Sequence, residues 1–191
     1  GDNYADVLSG APFNNLWGSN RGYAYVYYGP FNADDTTPDV WINNSVPTDT
    51  TRFGWSVAAG RFNGDQYWDA LVARLSIDGV ATGNVSIFYG GSGWTGAENT
   101  PDVEFLPPAS PQNFGFAVAA ANLDNANSDD VLIAETTRDR NSDSLGDGVV
   151  YVYKSPFAAV ESAADYTLIP STNANGQLGR AVATGKVDSD A

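Results

Sequence analysis

Residues 83–90 read GNVSIFYG, and two other stretches repeat the theme: residues 22–29 read GYAYVYYG and residues 148–154 read GVVYVYK. Each opens on glycine and runs on through β-branched and aromatic side chains, the composition of a strand packed on its neighbours. The opening glycines, Gly22, Gly83 and Gly148, are 61 and 65 residues apart. Other landmarks keep the same step. Asp39, Asp102 and Asp165 are spaced 63 and 63, and Phe53-Gly54, Phe114-Gly115 and Leu178-Gly179 are spaced 61 and 64. So long a period implies one supersecondary unit per repeat, each needing a neighbour to bury its apolar face.

Around these strands lie clusters of turn formers, NNLWGSNRG, GGSGWTGAENTP and TRDRNSDSLGDG, with no helical periodicity between them. Starting from Phe53, the second repeat contains four short apolar segments, at 53–59, 70–73, 84–89 and 103–106. Four strands per unit is the plan of a β-propeller blade. The expectation is an all-β chain of three four-stranded blades of about 63 residues, belonging to a larger propeller or assembly. The repeats fall at 53–113 and 114–177, flanked by partial repeats at 1–52 and 178–191. A β-sandwich would leave the period unexplained.

Composition narrows the function. With 191 residues, 42% of them hydrophobic, the chain has enough material for a sizeable core. Its 23 acidic and 9 basic residues give a net charge of −14, which opposes the phosphate neutralisation that nucleic acid demands. No apolar run is long enough to span a bilayer and no signal-like segment is present, so no membrane insertion is expected. The absence of cysteine removes disulfides and thiol chemistry, and without histidine there is no imidazole base or Ser-His-Asp triad. Asp34-Asp35 and Asp129-Asp130 are the remaining carboxylate pairs for glycosidase chemistry, but both sit in loop contexts where solvation or metal binding is commoner. No enzymatic activity is expected. The chain also lacks methionine, as an internal piece of a longer, processed protein would.

The loop after the first segment carries the most chemistry. In the second repeat it reads RFNGDQYWD, with Asn63, Asp65 and Asp69 at its third, fifth and ninth positions. Oxygen side chains in this alternation, with Gly64 for a sharp turn, suit a hard cation such as Ca²⁺. The third repeat offers Asn122, Asp124 and Asp130, the N-terminal fragment Asp2 and Asp6, and the C-terminal fragment Asp188 and Asp190. The competing reading is an Asx-turn, which favours the same residues for backbone reasons.

Phe53-Gly54 and Phe114-Gly115, with Gly10-Ala11-Pro12 following Asp6-Val7-Leu8, make the chain resemble the FG-GAP repeats of integrin alpha-subunit propellers and related bacterial and fungal propellers. The pattern of an aspartate-rich loop, an apolar strand, a second loop and a G-x-V-Y-V-Y strand covers essentially the whole chain. The resemblance implies four-stranded blades, about seven in an intact propeller, with Ca²⁺ in the aspartate-rich loops on one face. At the first loop position, where the family usually has Asp, this chain has Arg61, Asn122 and Lys186. A cationic side chain there could stand in for the metal through an internal ion pair.

Further blades, or copies of the chain joined head to tail, are therefore expected partners. Joining two copies end to end leaves a seam loop three residues longer than those at 57–71 and 118–132. Tyr23, Tyr25, Tyr27, Phe88, Tyr151 and Tyr153 fall in strands and are assigned to packing between units. Trp17 and Trp94 fall in polar loops, where an exposed indole could contact a protein or glycan. Of two N-x-S sequons, at Asn43 and Asn84, Asn43 is the better glycan acceptor because Asn84 begins a strand. These features point to an extracellular, calcium-associated propeller segment for adhesion or recognition. The alternatives are a subunit of a head-to-tail extracellular fibre and a lectin-like propeller.

Overall fold

A computed structural model of the chain describes residues 4–15, 21–31, 33–43, 51–75, 83–108, 113–138, 146–169 and 176–187. The described residues form strands and no helix: β1 (Val7–Ala11), β2 (Tyr23–Tyr27), β3 (Val40–Ile42), β4 (Phe53–Gly60), β5 (Asp69–Arg74), β6 (Asn84–Phe88), β7 (Gly96–Glu98), β8 (Val103–Phe105), β9 (Phe114–Ala121), β10 (Asp130–Glu135), β11 (Val149–Tyr153), β12 (Val160–Glu161) and β13 (Tyr166–Leu168). They build three sheets, ordered β1-β2-β3-β7, β4-β5-β6-β8-β12 and β9-β10-β11-β13, none of which closes on itself.

The all-β expectation holds, and the four segments read from the second repeat become β4, β5, β6 and β8. They form an antiparallel meander with Ala59 opposite Ala70, Leu71 opposite Ile87 and Ile87 opposite Val103. The third sheet repeats this order, pairing Ala119 with Leu132, Leu132 with Val152 and Val152 with Tyr166. Strands β6, β10 and β11 are buried along their whole length. Both faces are covered: the second sheet lies between the first and the third, and Leu178 and Val182 lie on the far face of the third. In the second sheet, Ala70, Val72 and Phe88 pack with Val26, Val40 and Ile42 of the first. From the opposite face, Leu71, Ile87 and Phe105 pack with Phe114, Ile133 and Tyr151 of the third. Each Val, Leu, Ile or Phe among them that is fully removed from water stabilises the fold by about 1.5–3 kcal/mol.

The Phe-Gly landmarks lie at the joints between sheets. Phe53 donates its N–H to Arg21 O at 3.0 Å, and Leu178 donates to Asp147 O at 3.0 Å. Gly22 bridges Phe53 and Gly148 bridges Leu178, both in parallel sense. The following glycines, Gly54, Gly115 and Gly179, have φ of 81°, 86° and 91°, a region that disfavours side chains. A Cβ on Gly115 would come within 3.1 Å of Ala73 and Val85, and one on Gly179 within 2.6 Å of Ala134. Gly22, Gly83 and Gly148 recur in turn because the backbone of Phe53, Phe114 or Leu178 lies against each across a joint.

Strand β7 lies in a stretch that the sequence marked only as a turn cluster, and β12 in one to which it assigned no element. Each leaves its own repeat to pair in parallel with the outer strand of the preceding sheet, β7 on β3 and β12 on β8. Both are too short to carry a propensity signal and exist because a neighbouring edge offers unpaired N–H and C=O groups. Of the strand aromatics, Tyr23, Phe88, Tyr151 and Tyr153 are buried, while Tyr25 and Tyr27 are half-buried.

Candidate functional site

The repeated aspartates converge on one task. Asp69 is 2% exposed; its Oδ2 accepts the Phe62 N–H at 2.7 Å and its Oδ1 accepts the Gly90 N–H at 2.9 Å. Asp130 does the same for Leu123 at 2.9 Å and Ser155 at 3.0 Å, and Asp6 accepts from Gly29 at 3.1 Å. A second set holds the residue just before. Asp39 accepts from Tyr28 at 2.7 Å, Asp102 from Tyr89 at 2.8 Å and Asp165 from Lys154 at 2.7 Å. Two carboxylates per repeat thus grip consecutive N–H groups where the chain leaves β2, β6 or β11, through charge-assisted hydrogen bonds. Burial, reinforced by the nearby Asp65 charge, outweighs these bonds at Asp69 and pushes its carboxyl up to about 6.

The loop tip between β4 and β5 is an Asx-turn. Asn63 Oδ1 accepts the Asp65 N–H at 2.9 Å, Asn63 Nδ2 donates to Asp65 Oδ2 at 2.9 Å, and Asp65 Oδ1 accepts the Tyr67 N–H at 2.7 Å. In the third loop Asp124 Oδ1 accepts the Ala126 N–H at 3.0 Å, while Asn122 donates to Ala126 O. Lys154 Nζ lies 2.6 Å from Asp124 Oδ2 and holds that carboxyl below its usual range. The cation beside the acids is thus Lys154, from the end of β11. The Arg61 guanidinium lies over the Trp68 ring at 5.3 Å, and its backbone N–H donates to Asp129 Oδ2 at 2.8 Å.

In these loops the candidate oxygens already accept the chain's own N–H and ammonium donors. Asp69 and Asp130 spend both oxygens on backbone N–H groups, and among the described residues no three acidic side chains converge on a metal position. Asn63, Asp65, Asn122 and Asp124 are exposed at the loop tips, where Asp124 is already paired with Lys154. Asp2, Asp188, Asp190 and Trp17 lie outside the described residues.

Trp94 is half-buried. Its Nε1 donates to Glu98 Oε1 at 3.1 Å and its carbonyl accepts the Tyr28 hydroxyl. It lines an open groove of about 900 Å³ between the first two sheets, together with Tyr4, Leu8, Val26, Tyr28 and Trp68. At the next joint the corresponding space is filled. Phe62, 1% exposed, meets the Phe157 ring at 6.3 Å, and Phe157 meets Phe105 at 5.3 Å. Of the sequons, Asn84 is buried and donates to Glu104 Oε1 at 2.9 Å, whereas Asn43 follows β3 and is half-buried.

Sequence reasoning did not single out Glu135, which is 0% exposed and accepts the Tyr151 hydroxyl at 2.8 Å. Burial and this carboxylate together push the phenol pKa up. The one available signal was an acid closing the apolar run VLIAE where the preceding repeat has Arg74. Among the described residues no helix is long and apolar enough to cross a membrane. Neither a scan of protein-family models nor a search of curated proteins found a match, so the FG-GAP resemblance rests on the residues themselves.

Proposed function

We propose that this chain is a run of FG-GAP-like propeller blades that works outside the cell as a rigid, non-catalytic platform for adhesion or protein and glycan recognition. One observation carries the reading: the Phe-Gly or Leu-Gly of one repeat abuts the glycine that opens the third strand of the repeat before it, at Gly22–Phe53 and again at Gly148–Leu178. A joint used twice in one register is how successive blades stack. The chemistry agrees, because the acids most concentrated in the sequence are engaged as backbone clamps and no histidine or cysteine stands beside them.

An electron cryomicroscopy map tests the architecture. Four-stranded sheets following one another about a common axis, with Phe-Gly at each joint, support it; two sheets packed as a closed sandwich overturn it. Calcium belongs to this proposal at Asn63 and Asp65, where a titration followed by calorimetry should lose its heat in Asp65→Ala. A glycan role draws on the aromatic lining of the groove, and binding on a glycan array that disappears with Trp94→Ala would support it.

The fibre alternative has its own observation. Leu123, Tyr166 and Leu168 leave an exposed apolar surface on the third sheet. Chains that join through such a surface would act as structural subunits.

A further inference from the structure

Residues 178–187 rest on the third sheet as β9 rests on the second. Leu178 and Val182 pack with Leu132, Ala134 and Val150, and the Thr184 hydroxyl donates to Ala120 O at 2.9 Å. Gly179 faces Ala134 and Val150 just as Gly115 faces Ala73 and Val85. Yet no described strand pairs with this segment, whereas β9 has β10 and β4 has β5. Counting from Gly54 to Phe62 and from Gly179 to Val187 puts Val187 at the place of Phe62, and Val187 is 97% exposed.

The first sheet shows the converse. Its edge strand β1 corresponds to β5 and β10, and no described strand occupies the side that β4 and β9 occupy in the later sheets. Leu8, Val26 and Tyr28, which line the groove, stand where Leu71, Ile87 and Tyr89 stand in the second sheet. Those three surround or adjoin the cluster that contains Phe62. The groove is therefore the place of a Phe62-like side chain.

The outer side matches as well. Phe31 follows Gly29-Pro30 as Phe157 follows Ser155-Pro156. Phe157 packs on Phe62 and Phe105, whose counterparts on the third sheet are Leu123 and Leu168. Phe31, Leu123 and Leu168 are each about half exposed. The first sheet thus carries one half of a joint, and the third sheet with residues 178–187 carries the other.

We propose that the docking partner is a second copy of this chain, added head to tail: residues 178–187 of one copy lie beside β1 of the next, Val187 enters the groove, and Phe31 covers Leu123 and Leu168. The inference rests on the blade reading above and names the partner for its open faces. The contact is heterologous, so it propagates into a ring or a filament.

Sedimentation velocity on the 191-residue chain, from micromolar to millimolar, tests it. Assemblies should grow with concentration and with added salt, which screens the acidic surfaces. Phe31→Asp and Leu168→Asp should each sediment as monomers with an unchanged strand signature in circular dichroism. Mixed in equal amounts, the two should form particles of twice the monomer mass and no larger, because only one intact joint can form. A wild-type chain that stays monomeric at every concentration overturns the proposal and leaves the groove to an adjoining repeat of a longer chain or to a glycan. Variants that assemble like wild type, or single variants that dimerise alone, overturn it too. The blade reading fails separately, if Gly115→Val leaves thermal stability unchanged.

Discussion

The joint between the first and second sheets and the joint between the second and third are lined by corresponding residues, yet the second is packed and the first is open. Leu71 and Ile87 are fully buried beside Phe62, whereas Leu8, at the position of Leu71, is only half-buried and borders the groove. Among the described residues the difference is one strand and one side chain. It shows that where neighbouring sheets are built from corresponding residues the core belongs to pairs of neighbours, so a corresponding residue is core or surface according to what lies next to it.

The sharpest way to break the contrast is to make the filled joint resemble the open one. Phe62→Ala should lower stability by about 3–5 kcal/mol, read as a fall in Tm on the order of 10 °C by calorimetry. A change below 1 kcal/mol would mean that Phe62 does not seal the joint.

Acid titration probes the clamp beside it. Asp69 has its pKa raised from 3.8 to about 6 on folding, so its protonated form is favoured in the native state. Its contribution is complete below pH ~4 and is lost as pH rises through about 6, a swing on the order of 3 kcal/mol. The stability of wild type minus that of Asp69→Asn should accordingly grow as pH falls from 7 to 4 in chemical denaturation. A difference independent of pH would remove this account.

Gly115→Val tests the backbone half of the same joint, where the positive φ and the contacts with Ala73 and Val85 leave no room for a side chain. The expected loss is about 1–3 kcal/mol. At the open joint, Trp94→Ala should cost about 1–2 kcal/mol, less than Phe62→Ala, because the indole is only half-buried. A larger loss for Trp94 would reverse the order of the two joints. The smallest effect belongs to Lys154→Ala. Its ion pair with Asp124 is solvent-exposed and screened at physiological salt, so Tm should not change measurably.

How far the sequence could be read follows from what each signal depends on. The apolar runs that become β4, β5, β6 and β8 were legible because burial on both faces leaves a dense local composition. Aspartates at fixed spacing were also visible, but their role was not. The oxygen pattern of Asn63, Asp65 and Asp69 suits a cation and suits backbone N–H donors equally well, and Gly90, whose N–H Asp69 accepts, lies in a different loop. Strands β7 and β12 had no signal of their own, since their partners are edges of another repeat.

The sequence by itself determined the all-β class, the long strands and the spacing of the glycines at the joints, because these rest on local composition and on positions where no side chain fits. Only the tertiary structure decided which acids are clamps, which short segments become strands, and which apolar residues remain uncovered. Those properties depend on what a neighbouring repeat brings within hydrogen-bonding or van der Waals distance.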